Sequence, residues 1–279
     1  MNKKILFTDL DGTLLNSQKT ISENTYENIL TMLGQGHKFV LASGRPLNSI
    51  LDVKEKLHLP DRGVYVTAFN GALLYDCERK TVLHEERVAL PEAQTLFDTA
   101  VSLGIHIHTY DEQGHIISCA ADAELAYYRK AVIGTPLIST NLSGFLEKGP
   151  FKLLTIHLVK GEADKESPKL LSFKNEIQNS PLGEAFSCAF SNPYYLEFFH
   201  KNAGKGNGLM KLCELLQIPV SDSIAAGDAE NDVSMLTAAG TGIAMLNGDA
   251  NIKAAADFVT TCDCNHDGMV EIMQRYVLS

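Results

Sequence analysis

Two carboxylates lie one residue apart directly after an apolar run near the N-terminus. The run from Ile5 to Thr8 is followed by Asp9-Leu10-Asp11-Gly12. Such a strand places both carboxylates at its carboxyl end, the edge where open α/β sheets bind ligands. Because two like charges this close repel each other unless a cation or hydrogen bonds stabilise them, the pair indicates a hard metal such as Mg²⁺. A solvated turn is the alternative that this motif alone leaves open.

Three further groups of polar residues follow other predicted elements. The hydroxyl of Ser43 and the amide of Gly44 offer hydrogen bonds to an anion, and a helix start adds a favourable dipole. Lys205, flanked by glycines, supplies a positive charge for a phosphate or for a carboxylate. The last group comprises the carboxylates of Asp228 and Asp232 and the amide of Asn231, which can bind an anion.

Together these groups describe metal-assisted phosphoryl transfer. Asp9 is placed to attack an electrophile, while Asp11 can move protons at the leaving group and at the attacking water. Each group alone has an ordinary explanation, such as a helix cap at Ser43 or an exposed helix residue at Lys205. Their joint occurrence in this order favours transfer through an aspartyl-phosphate.

The elements that must position these groups alternate between strands and helices. Two buried strands, 5–8 and 38–42, flank a predicted helix over 21–33, and such repetition favours a parallel sheet that brings both polar turns to one edge. In residues 83–188 few strands end in an acidic or glycine-rich turn, so this segment is predicted to be an inserted α+β domain. We therefore predict an α/β fold with a doubly wound parallel-sheet core over 1–82 and 189–279.

Composition narrows the class of protein. The chain has 279 residues, of which 45% are hydrophobic and 21% charged, as is typical of a globular protein with one large or two smaller domains. A net charge of -10 argues against a nucleic-acid partner. Six cysteines without a Cys-x-x-Cys pair indicate reduced thiols and a cytoplasmic location. We expect no secretory signal, no membrane partner, and a monomer or homodimer.

The four ordered motifs resemble those of the haloacid dehalogenase-like hydrolases. They read Asp9-Leu10-Asp11-Gly12-Thr13, Ser43-Gly44-Arg45, Lys205-Gly206 and Gly227-Asp228-x-x-Asn231-Asp232. The insertion between the second and third motifs resembles that of the Cof-type subfamily, which carries an α/β cap. The resemblance covers essentially the whole chain. It implies a Rossmann-like core, a mobile cap domain and a Mg²⁺-dependent phosphatase (phosphoric monoester hydrolase) acting on small phosphate esters such as sugar phosphates or phosphorylated cofactors.

The resemblance also implies a role for each motif residue. Asp9 would be the nucleophile and a metal ligand, and Asp11 the general acid/base whose backbone carbonyl binds the metal. Asp228 would be a further metal ligand, and Asp232 would support the metal from behind its ligands or through water. The phosphoryl group would be held by the amides of Leu10 and Gly44 and by the side chains of Ser43, Lys205 and Asn231.

Several alternatives remain beside the phosphatase. A phosphomutase could use the same aspartyl-phosphate, and a non-enzymatic protein that binds phosphorylated metabolites could retain the fold. The segment from Asp263 to Gly268 resembles half of a Ca²⁺-binding loop, but Gln274 stands where that loop needs Glu. His106 and His108 share one face of a predicted strand, yet no third ligand is near in sequence, so we interpret both as packing or exposed residues.

Overall fold

The computed structural model describes residues 3–130, 132, 134–159 and 166–279. The chain forms two compact units, and the second is inserted between two segments of the first. The first unit comprises Met1–Glu85 and Ala203–Ser279, and the second comprises Glu86–Asn202. The predicted insertion, 83–188, therefore begins three residues and ends 14 residues before the observed unit, 86–202.

The first unit is built on an eight-stranded sheet. Its three central strands pair in parallel, with the first strand between the other two, and two antiparallel strands close one edge. The sheet order is β14-β13-β12-β1-β2-β3-β4-β5. The strands are β1 (Ile5–Thr8), β2 (Lys38–Ala42), β3 (Val64–Ala68), β4 (Leu73–Asp76), β5 (Thr81–Glu85), β12 (Ser223–Gly227), β13 (Thr241–Ala244) and β14 (Phe258–Val259).

Helices and apolar strand faces bury the core of this unit. Every residue of β1 and β12 is buried, as expected for strands covered on both faces. The Ser22 hydroxyl accepts a hydrogen bond from the backbone of Thr25 and so caps the first helix. The helices of the unit are α1 (Glu23–Gly34), α2 (Leu47–Lys56), α6 (Lys205–Leu216), α7 (Val233–Ala238), α8 (Ala250–Ala255) and α9 (Gly268–Ile272).

The second unit is an α+β structure with its own sheet and core. Its six strands follow the order β10-β11-β9-β6-β7-β8 and pair antiparallel except for the last two. Two long helices pack on one face, where Phe97, Phe173 and Phe198 belong to one apolar cluster. The elements are α3 (Leu90–Ser102), β6 (His106–Tyr110), β7 (Ile116–Ser118), α4 (Ala123–Tyr128), β8 (Pro136–Ile138), β9 (Lys152–Ile156), α5 (Pro168–Gln178), β10 (Phe186–Asn192) and β11 (Tyr195–His200).

The predicted fold class is confirmed, whereas the larger difference in domain bounds lies at the end of the insertion. Residue 188 was predicted to close the insertion, but it lies inside β10. That strand pairs with β11, and β11 pairs with β9, so the hairpin completes the second sheet before the chain returns to the first unit. Among the described residues, no helix has the length and apolar character needed to cross a membrane.

Candidate active site

Three neighbouring strands of the first unit end at predicted site residues. β1 lies between β12 and β2, and the three run parallel. Asp9 follows β1, Ser43 follows β2 and Asp228 follows β12. The amide of Asp9 still donates to the Ala226 carbonyl at 3.0 Å, which extends the pairing to the first carboxylate. The parallel topology therefore brings three of the four motifs to one edge, as expected for ligand sites in such sheets.

The remaining motif, the third along the chain, contributes a buried lysine to this edge. Lys205 is the first residue of α6, and its side chain is fully buried. Its ammonium group donates to Asp9 Oδ1 at 2.5 Å and also to Asp232 Oδ1. The second oxygen of Asp232 accepts hydrogen bonds from the amides of Asp228 and Ala229, at 3.0 and 3.1 Å. Asp232 thus orients both the lysine and the loop that carries Asp228.

Asp9, Asp228 and Asp232 form a carboxylate cluster. One oxygen of each lies within 4.8 Å of the others. The hydroxyl of Thr13 donates to Asp228 Oδ1 at 2.7 Å and fixes that carboxylate. Gly12 has a φ of +86°, and a Cβ at this position would overlap the Asp228 carboxylate. Only glycine therefore allows the first motif to approach the fourth this closely.

Negative charge exceeds positive charge in this buried cluster. Three carboxylates surround one ammonium group, that of Lys205. The pKa of Asp9 is raised to about 7, chiefly by burial and also by the charges of Asp232 and Asp228, against the opposing charge of Lys205. Burial also raises the pKa of Asp228 to about 6. The pKa of Lys205 is raised despite burial, because Asp232 and Asp9 favour its charged form.

Asp11 lies in a different electrostatic environment from Asp9. Arg45 donates to both of its carboxylate oxygens, with Nε to Oδ2 at 3.0 Å and Nη2 to Oδ1 at 2.8 Å. Lys19 donates to Oδ1 at 2.7 Å. Burial raises the pKa of Asp11, but hydrogen bonds and charge from Lys19 and Arg45 outweigh that effect, so the net pKa is lowered. The geometry holds Asp11 as a carboxylate.

The predicted phosphate-binding residues lie in the first unit. The Ser43 hydroxyl accepts from the Arg45 amide at 3.3 Å, and Gly44 lies between these residues. Leu10 is fully buried, and its carbonyl closes the turn by accepting from Leu15. Asn231 Nδ2 donates to the side-chain oxygen of Asn70 at 3.3 Å. Their role toward phosphate stays a prediction.

Sequence reasoning gave no role to Asn70, Arg45 or Thr13. Thr13 and Arg45 stand in the motifs and Asn70 does not; the partners of Asn70 and Thr13 lie far along the chain, 161 and 215 residues away. Asn70 is buried and adopts a φ of +55°, which few non-glycine residues do. The following glycine, Gly71, has a φ of +88°, and a Cβ there would overlap the Gly204 carbonyl. The turn at Gly71 therefore packs closely against the residue that precedes α6.

A second glycine of α6 packs against the same turn. Gly208 lies against Gly71, and a Cβ at position 208 would lie 3.0 Å from the Cα of Gly71. That separation is tighter than ordinary van der Waals contact. The missing methyl group therefore belongs to the packing that places Lys205.

The carboxylates of the segment that resembles a Ca²⁺-binding loop are engaged elsewhere. Asp263 accepts from the backbone of Asn265 at 2.8 Å and pairs with His266. Asp267 accepts from Ser22 and Asn24. Within the described part of the chain these residues do not join either group of side chains that could hold a metal.

Comparison with protein families gives one match along nearly the whole chain. A family model described as "haloacid dehalogenase-like hydrolase" matches residues 6–273. This range includes all four motifs, the whole second unit and most of the first.

Individual relatives and solved structures agree with the family match. A Streptococcus pyogenes protein with a provisional phosphatase name is 26% identical over 279 residues, covering 100% of both chains. The pyridoxal phosphate phosphatase YbhA of Escherichia coli is 27% identical and covers 93% of each chain. The crystal structure of a haloacid dehalogenase-like hydrolase from Bacteroides thetaiotaomicron has a TM-score of 0.83 and 28% identity, covering 98% of this chain and 99% of that one.

Proposed function

This chain belongs to the haloacid dehalogenase-like hydrolases and is a phosphatase enzyme acting on phosphorylated substrates, and from that premise we propose the mechanism and the substrate class. The protein hydrolyses small phosphorylated metabolites through an aspartyl-phosphate on Asp9 and depends on Mg²⁺. The observation that carries this proposal is the fully buried lysine that bridges Asp9 and Asp232, with Asp228 alongside.

The carboxylate cluster fits Mg²⁺ by donor type and by charge. Mg²⁺ prefers oxygen ligands, and the cluster offers only oxygens. Both oxygens of Asp232 already accept hydrogen bonds, from Lys205 and from the Asp228 and Ala229 amides, so Asp9 and Asp228 are the side chains left to hold the ion. When bound, Mg²⁺ would neutralise charge on the transferring phosphoryl oxygens.

In the first step the Asp9 carboxylate attacks phosphorus. A bond forms between its oxygen and phosphorus while the bond from phosphorus to the ester oxygen breaks, and the leaving oxygen takes a proton from Asp11. Lys205 favours the ionised form of Asp9, which is the nucleophilic form. Ser43, Gly44, Leu10 and Asn231 would bind the phosphoryl oxygens.

In the second step water attacks the same phosphorus and gives its proton to Asp11. Inorganic phosphate leaves, and the Asp9 carboxylate is restored. The contacts of Arg45 and Lys19 keep Asp11 ionised, which is the form that accepts this proton. For the first step Asp11 must carry a proton, so it must leave these partners before the substrate reacts.

The substrate class rests on the relatives. The E. coli relative is named for pyridoxal phosphate, a small phosphorylated cofactor. We propose that this chain likewise accepts small phosphate monoesters, with phosphorylated cofactors and sugar phosphates as the classes to assay first.

A panel of small phosphate monoesters, assayed for phosphate release with Mg²⁺ or with a chelator, tests this proposal. We expect release only with Mg²⁺, and Asp9→Asn should lower kcat on the order of 10⁴-fold or more, because it removes the nucleophile. Asp52→Asn, at an exposed position of α2, is the matched control and should retain full activity. Full activity of Asp9→Asn would refute the mechanism, and isomerisation that needs a bisphosphate primer would identify a phosphomutase.

A further inference from the structure

The second unit contains a compact group of nitrogen, sulfur and oxygen ligands. His106 begins β6, Cys119 directly follows β7 and Asp122 caps the start of α4. His106 Nδ1 lies 2.8 Å from Asp122 Oδ2 and 4.0 Å from Cys119 Sγ. All three ligand atoms lie within 4.8 Å of one another. Ligands of a tetrahedral Zn²⁺ ion, bound at about 2.0–2.3 Å, lie roughly 3.3–3.8 Å apart, so small side-chain shifts would suffice.

Each of the three side chains is oriented by a hydrogen bond to a group outside the cluster. The Ile107 amide donates to Cys119 Sγ at 3.3 Å. The Leu125 amide donates to Asp122 Oδ1 at 2.9 Å, which leaves Oδ2 toward the histidine. The other ring nitrogen of His106, Nε2, lies 3.1 Å from His108 Nδ1. Outer hydrogen bonds of this kind fix the ligands of metal sites in proteins.

Burial leaves this group open on one side only. The His106 side chain is 1% exposed, whereas that of Asp122 is 32% exposed. His108 is fully buried, and its Nε2 has no hydrogen-bond partner within the described residues. The three ligand atoms lie close together, and the Asp122 side of the group is exposed to solvent. This arrangement suits a zinc site with three protein ligands and water as the fourth.

We propose that His106 Nδ1, Cys119 Sγ and Asp122 Oδ2 form a Zn²⁺ site in the second unit. A borderline metal suits this mixed donor set, whereas Mg²⁺ prefers oxygen ligands alone. On binding, the Cys119 thiol releases its proton to solvent and the sulfur forms the bond to the metal. His106 binds through Nδ1, with its remaining proton on Nε2 toward His108. The ion ties β6, the end of β7 and the start of α4 together.

A metal-free hydrogen-bonded cluster is the competing account. In it, His106 carries its proton on Nδ1 and donates to Asp122, and the thiol takes no part. The two accounts differ in whether sulfur bonds to a metal. Cobalt(II) reports this directly, because a cobalt–thiolate bond gives a near-ultraviolet charge-transfer band, and the Asp9, Asp228 and Asp232 cluster has no sulfur.

Titration of the metal-free full chain with Co²⁺, in excess Mg²⁺ and under reducing conditions, tests the site. We expect a thiolate charge-transfer band that saturates at one equivalent and is displaced by Zn²⁺. Cys119→Ser should abolish the band. Asp122→Asn preserves the side-chain shape and Oδ1 but removes the anionic ligand, and it should weaken Co²⁺ binding at least about 10-fold.

Two other cysteine variants serve as matched controls. Cys188→Ser, on β10 of the same unit, and Cys264→Ser, at another partly exposed thiol, should both keep the band. Far-ultraviolet circular dichroism and phosphate release verify that every variant is folded. Absence of the band in the wild-type chain, or its persistence in folded Cys119→Ser, would overturn the proposal.

Discussion

Each unit of this protein buries a lysine against carboxylates, but with a different balance of charge. In the second unit Lys152 pairs with Glu197 at 2.9 Å, and the two side chains are 3% and 7% exposed. In the first unit Lys205 contacts both Asp9 and Asp232, and Asp228 lies in the same cluster. Among the described ion pairs, one cation thus meets one anion in the second unit, whereas in the first unit one cation lies in a cluster of three carboxylates.

The difference separates a structural ion pair from a reactive site. A buried pair of equal and opposite charges stabilises itself, although its desolvation offsets much of the attraction. Burial, together with the neighbouring carboxylates, instead raises the pKa values, to about 7 for Asp9 and about 6 for Asp228. Such shifts are typical of sites that bind a cation or move charge during a reaction. Substitution of Lys152 should therefore lower stability, whereas substitution of Lys205 should lower catalytic activity.

Lys152→Met should lower the stability of the protein without lowering kcat for phosphate release. The substitution leaves Glu197 buried without its ammonium partner, which costs about 3–5 kcal/mol of unfolding free energy for such pairs. Urea denaturation measures the loss. The double variant Lys152→Met/Glu197→Leu is the control and should recover most of the stability, because it removes both charges. A single variant as stable as the wild type would show that this pair is not structural.

Lys205→Met should have the opposite effect. We expect kcat for phosphate release to fall by about 10²–10³-fold, because the transition state loses a buried cation. Lys211→Met, on the same helix but partly exposed, is the control and should retain activity. A steady-state assay under saturating Mg²⁺ measures both variants. An unchanged kcat in Lys205→Met would show that Lys205 does not take part in phosphate release.

The stability of the Mg²⁺-free protein should also report the charge excess. An unfolded Asp titrates near 3.8, whereas folded Asp9 titrates at about 7, so between these values the folded state binds more protons. The Asp9 contribution to stability is therefore fully present below about pH 4 and is lost as pH rises through 7. Denaturation at several pH values measures this slope. Asp9→Asn should reduce the slope of stability against pH, as should saturating Mg²⁺. An identical slope in the variant would contradict the raised pKa of Asp9.

Much of the first unit could be predicted because its chemistry stands at strand ends. The strands at 5–8 and 38–42 are short apolar runs that stop at polar turns, and the structure has them at those residues. Parallel pairing then brings Asp9 and Ser43 to one edge without any further information. Lys205 was predicted to reach Asp9 or a phosphate, and it does contact Asp9.

The second unit was less predictable because its contacts depend on antiparallel register. Cys119 meets His106 only because β6 and β7 pair His108 with Ser118, a register that residue spacing does not reveal. The hairpin of β10 and β11 carries no acidic or glycine-rich turn, so the domain boundary was placed too early. The antiparallel edge strands β4 and β5 were also missed; β5 has no fully buried residue and so lacks the apolar run that marks β1 and β2.

The fate of oxygen from labelled water tests the central claim most directly. If phosphate passes through Asp9, attack of ¹⁸O-labelled water on phosphorus puts the label into phosphate in a single turnover, and the Asp9 carboxylate stays unlabelled. If water instead attacked the carbonyl carbon of an Asp9 ester, the label would enter Asp9. The intermediate itself is observable by mass spectrometry of rapidly quenched enzyme. We predict a peptide containing Asp9 that carries one phosphoryl group during turnover, with label only in released phosphate; an enzyme that turns over with no phosphorylated Asp9 peptide would contradict the account.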